Sequence, residues 1–242
     1  MIVKEPGVIA GLELAARIFL NLDPNIQIIK LAQDGQEVAT SDEIMRIEGS
    51  ARSILSAERV ALNFLQRMSG IATITSKMVR LVEGTRAKIL DTRKTTPLLR
   101  PLEKWAVKLG GGTNHRMGLY DMIMLKDNHI DFAGGITPAI EATHAYLKKT
   151  GRELRIEIET RTLQEVEEVL QSEGVDVIML DNMSTAIMSE AVKMIDGRAR
   201  TEASGGITEK NIRDVAETGV DFISVGALTH SVKSMDISLI AQ

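Results

Sequence analysis

From residue 87 onward, short apolar runs rich in β-branched residues alternate with stretches whose apolar positions recur at helical spacing. The runs lie too far apart to be hairpins, so the pattern predicts a parallel α/β sheet. Strands are expected over residues 87–90, 122–125, 154–158, 175–180, 200–203 and 221–225, with a further one near 110–113. Helices are expected over 138–149, 163–171, 184–195 and 209–218. Polar residues follow each run: Asp91 and Arg93, Lys126 and Asp127, Glu159, Asp181 and Asn182, Ser204, and Gly226. In a (β/α) barrel the C-terminal strand ends converge on one mouth, so this spacing gathers distant residues into one cavity. Within 154–159 a period of two places Leu154, Ile156 and Ile158 on one face and turns Glu157 and Glu159 into the barrel.

The first third of the chain reads differently. Apolar runs at 26–31 and 36–40 flank Asp34-Gly35, a hairpin signal, and 44–49 reads as another strand. A long helix follows, with Ser56 as its N-cap and Glu58 in its first turn, running toward Val82. The boundaries drawn from this pattern are a small α/β region over 1–83 and a barrel over 84–242. The sequence has no repeats, low-complexity tracts or flexible linkers.

Charge sharpens the picture. The chain has a formal net charge of -4, yet the segment 91–129 gathers Arg93, Lys94, Arg100, Lys104, Lys108, Arg116 and Lys126 with His115 and His129. A nucleic-acid or membrane binder is usually basic over a whole face. Local cationic charge beside Gly110-Gly111-Gly112 points instead to a pocket for a small polyanion, a phosphate or carboxylate. Aromatic residues make up 3% of the chain, too few for a stacking platform. With no Cys, thiol chemistry and thiolate metal sites are excluded. Apolar runs break off well short of a membrane span, and Lys4 and Glu5 stand where a secretory segment would be apolar, so a cytoplasmic location is expected.

Two glycine-bearing turns, Ser204-Gly205-Gly206 and Val225-Gly226-Ala227, follow the last two predicted strands and offer backbone N–H groups to a phosphate at a helix N-terminus. Glu159 and Asp181 are strand-end carboxylates suited to Mg²⁺. The plainer alternatives are solvated surface charges for the cations and internal salt bridges for the carboxylates.

Several motifs taken in order carry a resemblance: ERVALNFLQ from residue 58, DTRKTTP from 91, GGTNHR from 111, KDNH from 126, LDN from 180, EASGG from 202 and SVGALT from 224. Together they closely resemble quinolinate phosphoribosyltransferases. The resemblance implies an incomplete (β/α) barrel preceded by a smaller α/β sandwich domain, assembled as a homodimer or larger oligomer. It implies conversion of quinolinate and phosphoribosyl pyrophosphate to nicotinate mononucleotide, pyrophosphate and carbon dioxide with Mg²⁺, a step of NAD biosynthesis. It assigns the quinolinate carboxylates to Arg93, Lys94, His115 and Arg116, with Thr92 beside them and Arg59 reaching in from a partner subunit. Lys126, Glu159 and Asp181 are implied to serve phosphoribosyl pyrophosphate and its metal as the catalytic group. Ser204, Gly205, Gly206, Val225, Gly226 and Ala227 are implied to hold the 5′-phosphate.

The chain departs from the family pattern in two places. Leu98 stands where the family usually has Gly, and the family carries further residues before the region matching Gly7, so the sandwich domain reads as truncated at its N-terminus. Two rival readings stay open at this point: a barrel lyase or aldolase using Lys126 as a Schiff base, and a non-enzymatic or ligand-altered paralogue.

Overall fold

A computed structural model describes residues 1–241. In chain order the elements begin with β1 (Ile2–Val3), β2 (Gly7–Val8), α1 (Leu12–Leu22), β3 (Gln27–Lys30), β4 (Glu37–Val38), β5 (Met45–Glu48) and α2 (Ala51–Leu81). They continue with β6 (Lys88–Leu90), α3 (Arg100–Leu109), β7 (Ile123–Leu125), α4 (Asp127–Ala133), α5 (Ile136–Thr150), β8 (Ile156–Thr160) and α6 (Leu163–Gln171). The last are β9 (Val177–Asp181), α7 (Thr185–Ile195), β10 (Arg200–Ser204), α8 (Ile212–Glu217), β11 (Phe222–Ser224), α9 (Ala227–His230) and β12 (Ile237–Ser238).

Packing divides the chain into two compact units that interleave in sequence. One comprises Met1–Val79, Lys94–Asn114 and Gly226–Gln242, the other Arg80–Arg93 and His115–Val225. The linear division at residue 83 misses this, because the return of 94–114 and 226–242 is a long-range contact that local hydrophobic pattern does not encode.

The second unit is a six-stranded parallel sheet in the order β6-β11-β10-β9-β8-β7. All six strands expected from residue 87 onward are present. β6 and β7 are its two edges, so the ring is incomplete. No strand forms over 110–113, where only Thr113 takes part in a bridge. The outer faces pack on helices: Ile158, Ile178 and Ile223 are fully buried, as are Val166 of α6 and Ala191 of α7. α6 and α7 are opened by side-chain caps, Thr162 accepting from the Glu165 N–H and Ser184 from that of Ile187. At the N-terminal strand ends, Asp221 accepts from the Thr201 N–H and hydroxyl and pairs with Arg86 and Arg200, which fixes β10 against β11.

The first unit contains three two-stranded antiparallel sheets, β1-β12, β2-β4 and β3-β5. Its core gathers Ile9, Leu12, Phe19, Ile44, Met45, Leu65 and Ile237, each nearly or wholly excluded from solvent. The hairpin expected about Asp34-Gly35 does not form. β3 pairs with β5, and β4 pairs with β2. Asp34 instead turns its carboxylate to the N–H groups of Gly11 and Leu12 at the start of α1. The long helix begins at Ala51 rather than at Ser56. The Ser56 hydroxyl lies inside it and donates to the Arg52 carbonyl, and the first turn carries no acidic residue.

A buried network steadies the segment that opens this unit's second portion. Glu103 is 1% exposed. It accepts from Arg67 Nε at 2.9 Å and from the Thr96 N–H at 3.0 Å, and Arg67 donates on to the Thr96 hydroxyl and the Thr229 carbonyl. Leu98, in the same segment, has φ 67 and is 98% exposed. A left-handed backbone crowds a Cβ, and this side chain buries nothing in return. Leu98→Gly is therefore expected to stabilise the chain by about 1 kcal/mol, read as a rise in thermal midpoint of a few degrees. An unchanged or lowered midpoint contradicts this.

Candidate active site

The register of the parallel sheet builds the site. Glu157 and Glu159 on β8 face the barrel interior, as the alternation predicts, and both are buried. Glu159 stands level with Met179 of β9, and Met179 with Glu202 of β10. Asp181 and Ser204 pair one step further along, at the strand ends. β7 ends at Leu125, level with Ile158, which brings Lys126 beside Glu159 with Nζ 3.9 Å from Oε2.

Burial, then the nearby Asp181 charge, raise the Glu159 carboxyl above its usual range, with Lys126 acting the other way. Asp181 Oδ2 accepts from the Asn182 amide at 2.7 Å. Two carboxylates that repel each other beside a single ammonium form an all-oxygen donor set, which fits a hard divalent cation such as Mg²⁺.

Arg116 lies deeper. It is 9% exposed, its Nη1 donates to the Met122 carbonyl at 3.0 Å, and its Nε has no hydrogen-bond partner. Burial, then the charge of nearby Arg93, lower its pKa. A guanidinium crowded by a second guanidinium is a site that an anion completes.

His115 is held by protein on every side. Its N–H donates to the buried Asp91 carboxylate at 2.8 Å, and its Nδ1 accepts from the Arg116 N–H at 2.7 Å. Its Nε2 lies 3.0 Å from Glu157 Oε2 and 3.6 Å from Glu202 Oε2, without the alignment of a hydrogen bond. Burial, then the Glu157 charge, push the Glu202 carboxyl well above the usual 4.5. The folded chain thus keeps that proton to a higher pH than the unfolded chain, and stability falls as pH rises beyond about 4.5. Glu159, shifted the same way, adds to the slope. Glu202→Gln is expected to flatten the decline above about pH 4.5 in urea unfolding. An unaltered slope contradicts the assignment.

The glycine turn after β10 is built differently from expectation. Gly205 and Gly206 follow β10 with φ 90 and 64, but α8 starts only at Ile212, so they do not open a helix. The Asn182 N–H donates to the Ser204 carbonyl, and a Cβ on Gly205 would fall 2.2 Å from Asn182 Oδ1. The loop therefore closes directly on Asn182. Val225 is buried at the end of β11, and its N–H donates to the Leu90 carbonyl.

Thr92 and Arg93 follow β6 within this unit, while Lys94, Gly226, Ala227 and Arg59 belong to the other. Gly226 caps α9, the Lys94 carbonyl accepts from the Thr229 hydroxyl, and Arg59 is exposed on α2. His129 does not join the anion site, because its Nδ1 accepts from the Lys126 N–H and caps α4. Sequence reasoning left Asp91, Asn182 and Glu202 without roles. All three lie in or beside the motifs, but only register shows what they touch.

Cationic and acidic groups at the C-terminal strand ends of a six-stranded parallel sheet define an α/β protein of the incomplete-barrel class. Comparison with known proteins narrows the class. Residues 1–69 match the quinolinate phosphoribosyl transferase N-terminal domain and residues 71–240 the C-terminal domain. The chloroplastic nicotinate-nucleotide pyrophosphorylase [carboxylating] of Arabidopsis thaliana is 48% identical, aligned over 98% of this chain and 72% of its own length. A probable nicotinate-nucleotide pyrophosphorylase [carboxylating] of Synechocystis is 46% identical over 98% of this chain and 80% of its own. The crystal structure of NadC from Streptococcus pyogenes superposes with a TM-score of 0.94 at 44% identity, covering 99% of this chain and 84% of that one. The chain belongs to the quinolinate phosphoribosyltransferase family.

Proposed function

We propose that this chain transfers the phosphoribosyl group of phosphoribosyl pyrophosphate to quinolinate with decarboxylation, giving nicotinate mononucleotide, pyrophosphate and carbon dioxide for NAD biosynthesis. The observation that carries the substrate class is Arg116, buried beside Arg93 with an unsatisfied Nε. A dicarboxylate supplies the missing acceptors. Arg93 and Arg116 take the two carboxylates, with Thr92 alongside and His115 holding Arg116 in place; the part of Lys94 rests on the family resemblance. Gly205, Gly206 and Ser204 receive the 5′-phosphate; the parts of Val225, Gly226 and Ala227 rest on the family resemblance.

The pyridine nitrogen carries no proton, so its attack on the ribose C1′ needs no general base. As the C1′–O bond to pyrophosphate breaks, positive charge develops on the ribose, and the carboxylates of Glu159 and Asp181 offset it. Lys126 neutralises the departing oxygens. Glu159 and Asp181 would hold Mg²⁺, and the ion, when bound, would supply further charge neutralisation at the pyrophosphate. N-ribosylation makes a pyridinium that accepts the electron pair released when the adjacent carboxylate leaves as carbon dioxide, and the ring carbon then takes a proton. Positioning is most of the protein's contribution.

A Schiff-base role for Lys126 is less well supported. Its side chain is 48% exposed and faces a carboxylate, without the apolar surroundings that activate such a lysine. The family's Arg59 is proposed to come from a second copy. It sits on α2 with exposed Leu55 one turn away and Val60 next to it, an apolar face that self-association covers. Incubation of the purified protein with quinolinate, phosphoribosyl pyrophosphate and Mg²⁺ tests the reading. Nicotinate mononucleotide should form, and chelation of the metal should stop it; no product with any divalent cation rejects it.

A further inference from the structure

Three ionisable side chains meet in the interior of the second unit: His115, Glu157 and Glu202 have side chains 7%, 1% and 2% exposed. One ring nitrogen and one oxygen from each carboxylate lie within 4.8 Å of one another. Neither oxygen of Glu157 has a hydrogen-bond partner, nor does Glu202 Oε1. Buried acceptors of this kind are costly unless they serve something.

The tautomer of His115 follows from its other contacts. Nδ1 accepts from the Arg116 N–H, so a neutral ring carries its proton on Nε2, and Nε2 faces Glu157. The same His115–Arg116 peptide sets the start of the Arg116 side chain, whose Nη1 is tied to the Met122 carbonyl. Whatever fixes the ring therefore also fixes where the open Arg116 Nε points.

We propose that Glu157 is a positioning residue for this site: it accepts the Nε2 proton of His115, locks the ring against the Arg116 N–H, and so aims Arg116 at the substrate carboxylate. Glu202 supports Glu157 from β10, and Asp91 ties the His115 N–H on the opposite side. Glu157 touches neither substrate nor metal in this arrangement. The consequence for binding rests on the dicarboxylate reading of Arg116, whereas the tautomer does not. The triad also has the donor set of a transition-metal site, and the test separates the two.

Selective ¹⁵N labelling of the four histidines reads the tautomer in ligand-free protein, with the His115 signal identified by its loss in His115→Gln. The expected result is a fixed Nε2–H ring in the wild type and in Glu157→Gln, which keeps an acceptor, and an averaged or reversed ring in Glu157→Met. In steady state, Glu157→Met should raise the quinolinate KM by roughly tenfold or more and leave that of phosphoribosyl pyrophosphate within about twofold, with Glu157→Gln restoring most of the loss. An Nδ1–H or doubly protonated ring in the wild type overturns the proposal, and needs no folded variant to do so. So does a quinolinate KM untouched by Glu157→Met. Saturable loss of the Nε2–H signal with one equivalent of Zn²⁺, reversed by chelation, would make the triad a metal site and overturn it as well. If quinolinate is not a substrate, the kinetic arm fails while the ring measurement still decides the positioning.

Discussion

Arg59→Ala and Lys126→Ala, each nearly inactive alone, are expected to recover about a quarter of wild-type activity when co-unfolded and refolded as an equal mixture. The expectation follows from counting sites. In the proposed two-fold dimer each site would take Lys126 from its own chain and Arg59 from its neighbour. A heterodimer then has one complete site, on the Arg59→Ala subunit, and one site lacking both groups. Random pairing makes about half of the dimers heterodimers. Arg59 is exposed on α2, where truncation to Ala should cost little stability. Confirmed heterodimers with no recovery would mean that Arg59 acts within its own chain or not at all.

Gly205→Ala is the second large effect. Gly205 has φ 90, and the added Cβ would stand 2.2 Å from Asn182 Oδ1. Asn182 cannot simply swing aside, because its amide donates to Asp181 and its backbone N–H to the Ser204 carbonyl. Loop, Asn182 and the Asp181 carboxylate must therefore move together. The expected outcome is a rise of roughly 100-fold in the KM for phosphoribosyl pyrophosphate, with quinolinate binding changed by less than about threefold. Similar losses for both substrates would show that the loop supports the whole barrel rather than the phosphate end.

The sheet of the second unit was legible in the sequence because each strand is a short apolar run ending in a polar residue, and each helix a clean amphipathic stretch. α6 matches its expected bounds of 163–171, and α7 follows its Ser184 cap. The inward turn of Glu157 and Glu159 was readable from alternation alone. That Glu157 meets Glu202 was not, since the two stand on strands separated by β9 and their approach is a long-range packing contact.

Long-range pairing also explains the errors in the first unit. Asp34-Gly35 is a true turn, but a turn signal cannot say that β4 will choose β2 and β3 will choose β5. Ser56 read as the cap of α2 because a serine with a glutamate in the following turn is a helix-start signal. The structure begins the helix beside Ser50, whose carbonyl accepts from the Ile54 N–H. His129 looked cationic and useful in a charged segment, yet its spacing of three from Lys126 is that of a cap. Leu98 is the reverse case: its departure from the family pattern was visible in the sequence, and its left-handed backbone gives that departure a physical cost.

The proposed site takes two carboxylates, and the most direct test compares pyridines that differ by one. With phosphoribosyl pyrophosphate and Mg²⁺, quinolinate should yield nicotinate mononucleotide, pyrophosphate and carbon dioxide in equal amounts. Nicotinate, which leaves a buried guanidinium without its partner, should show a kcat/KM lower by about a thousandfold or more. Comparable turnover of the two would contradict the account.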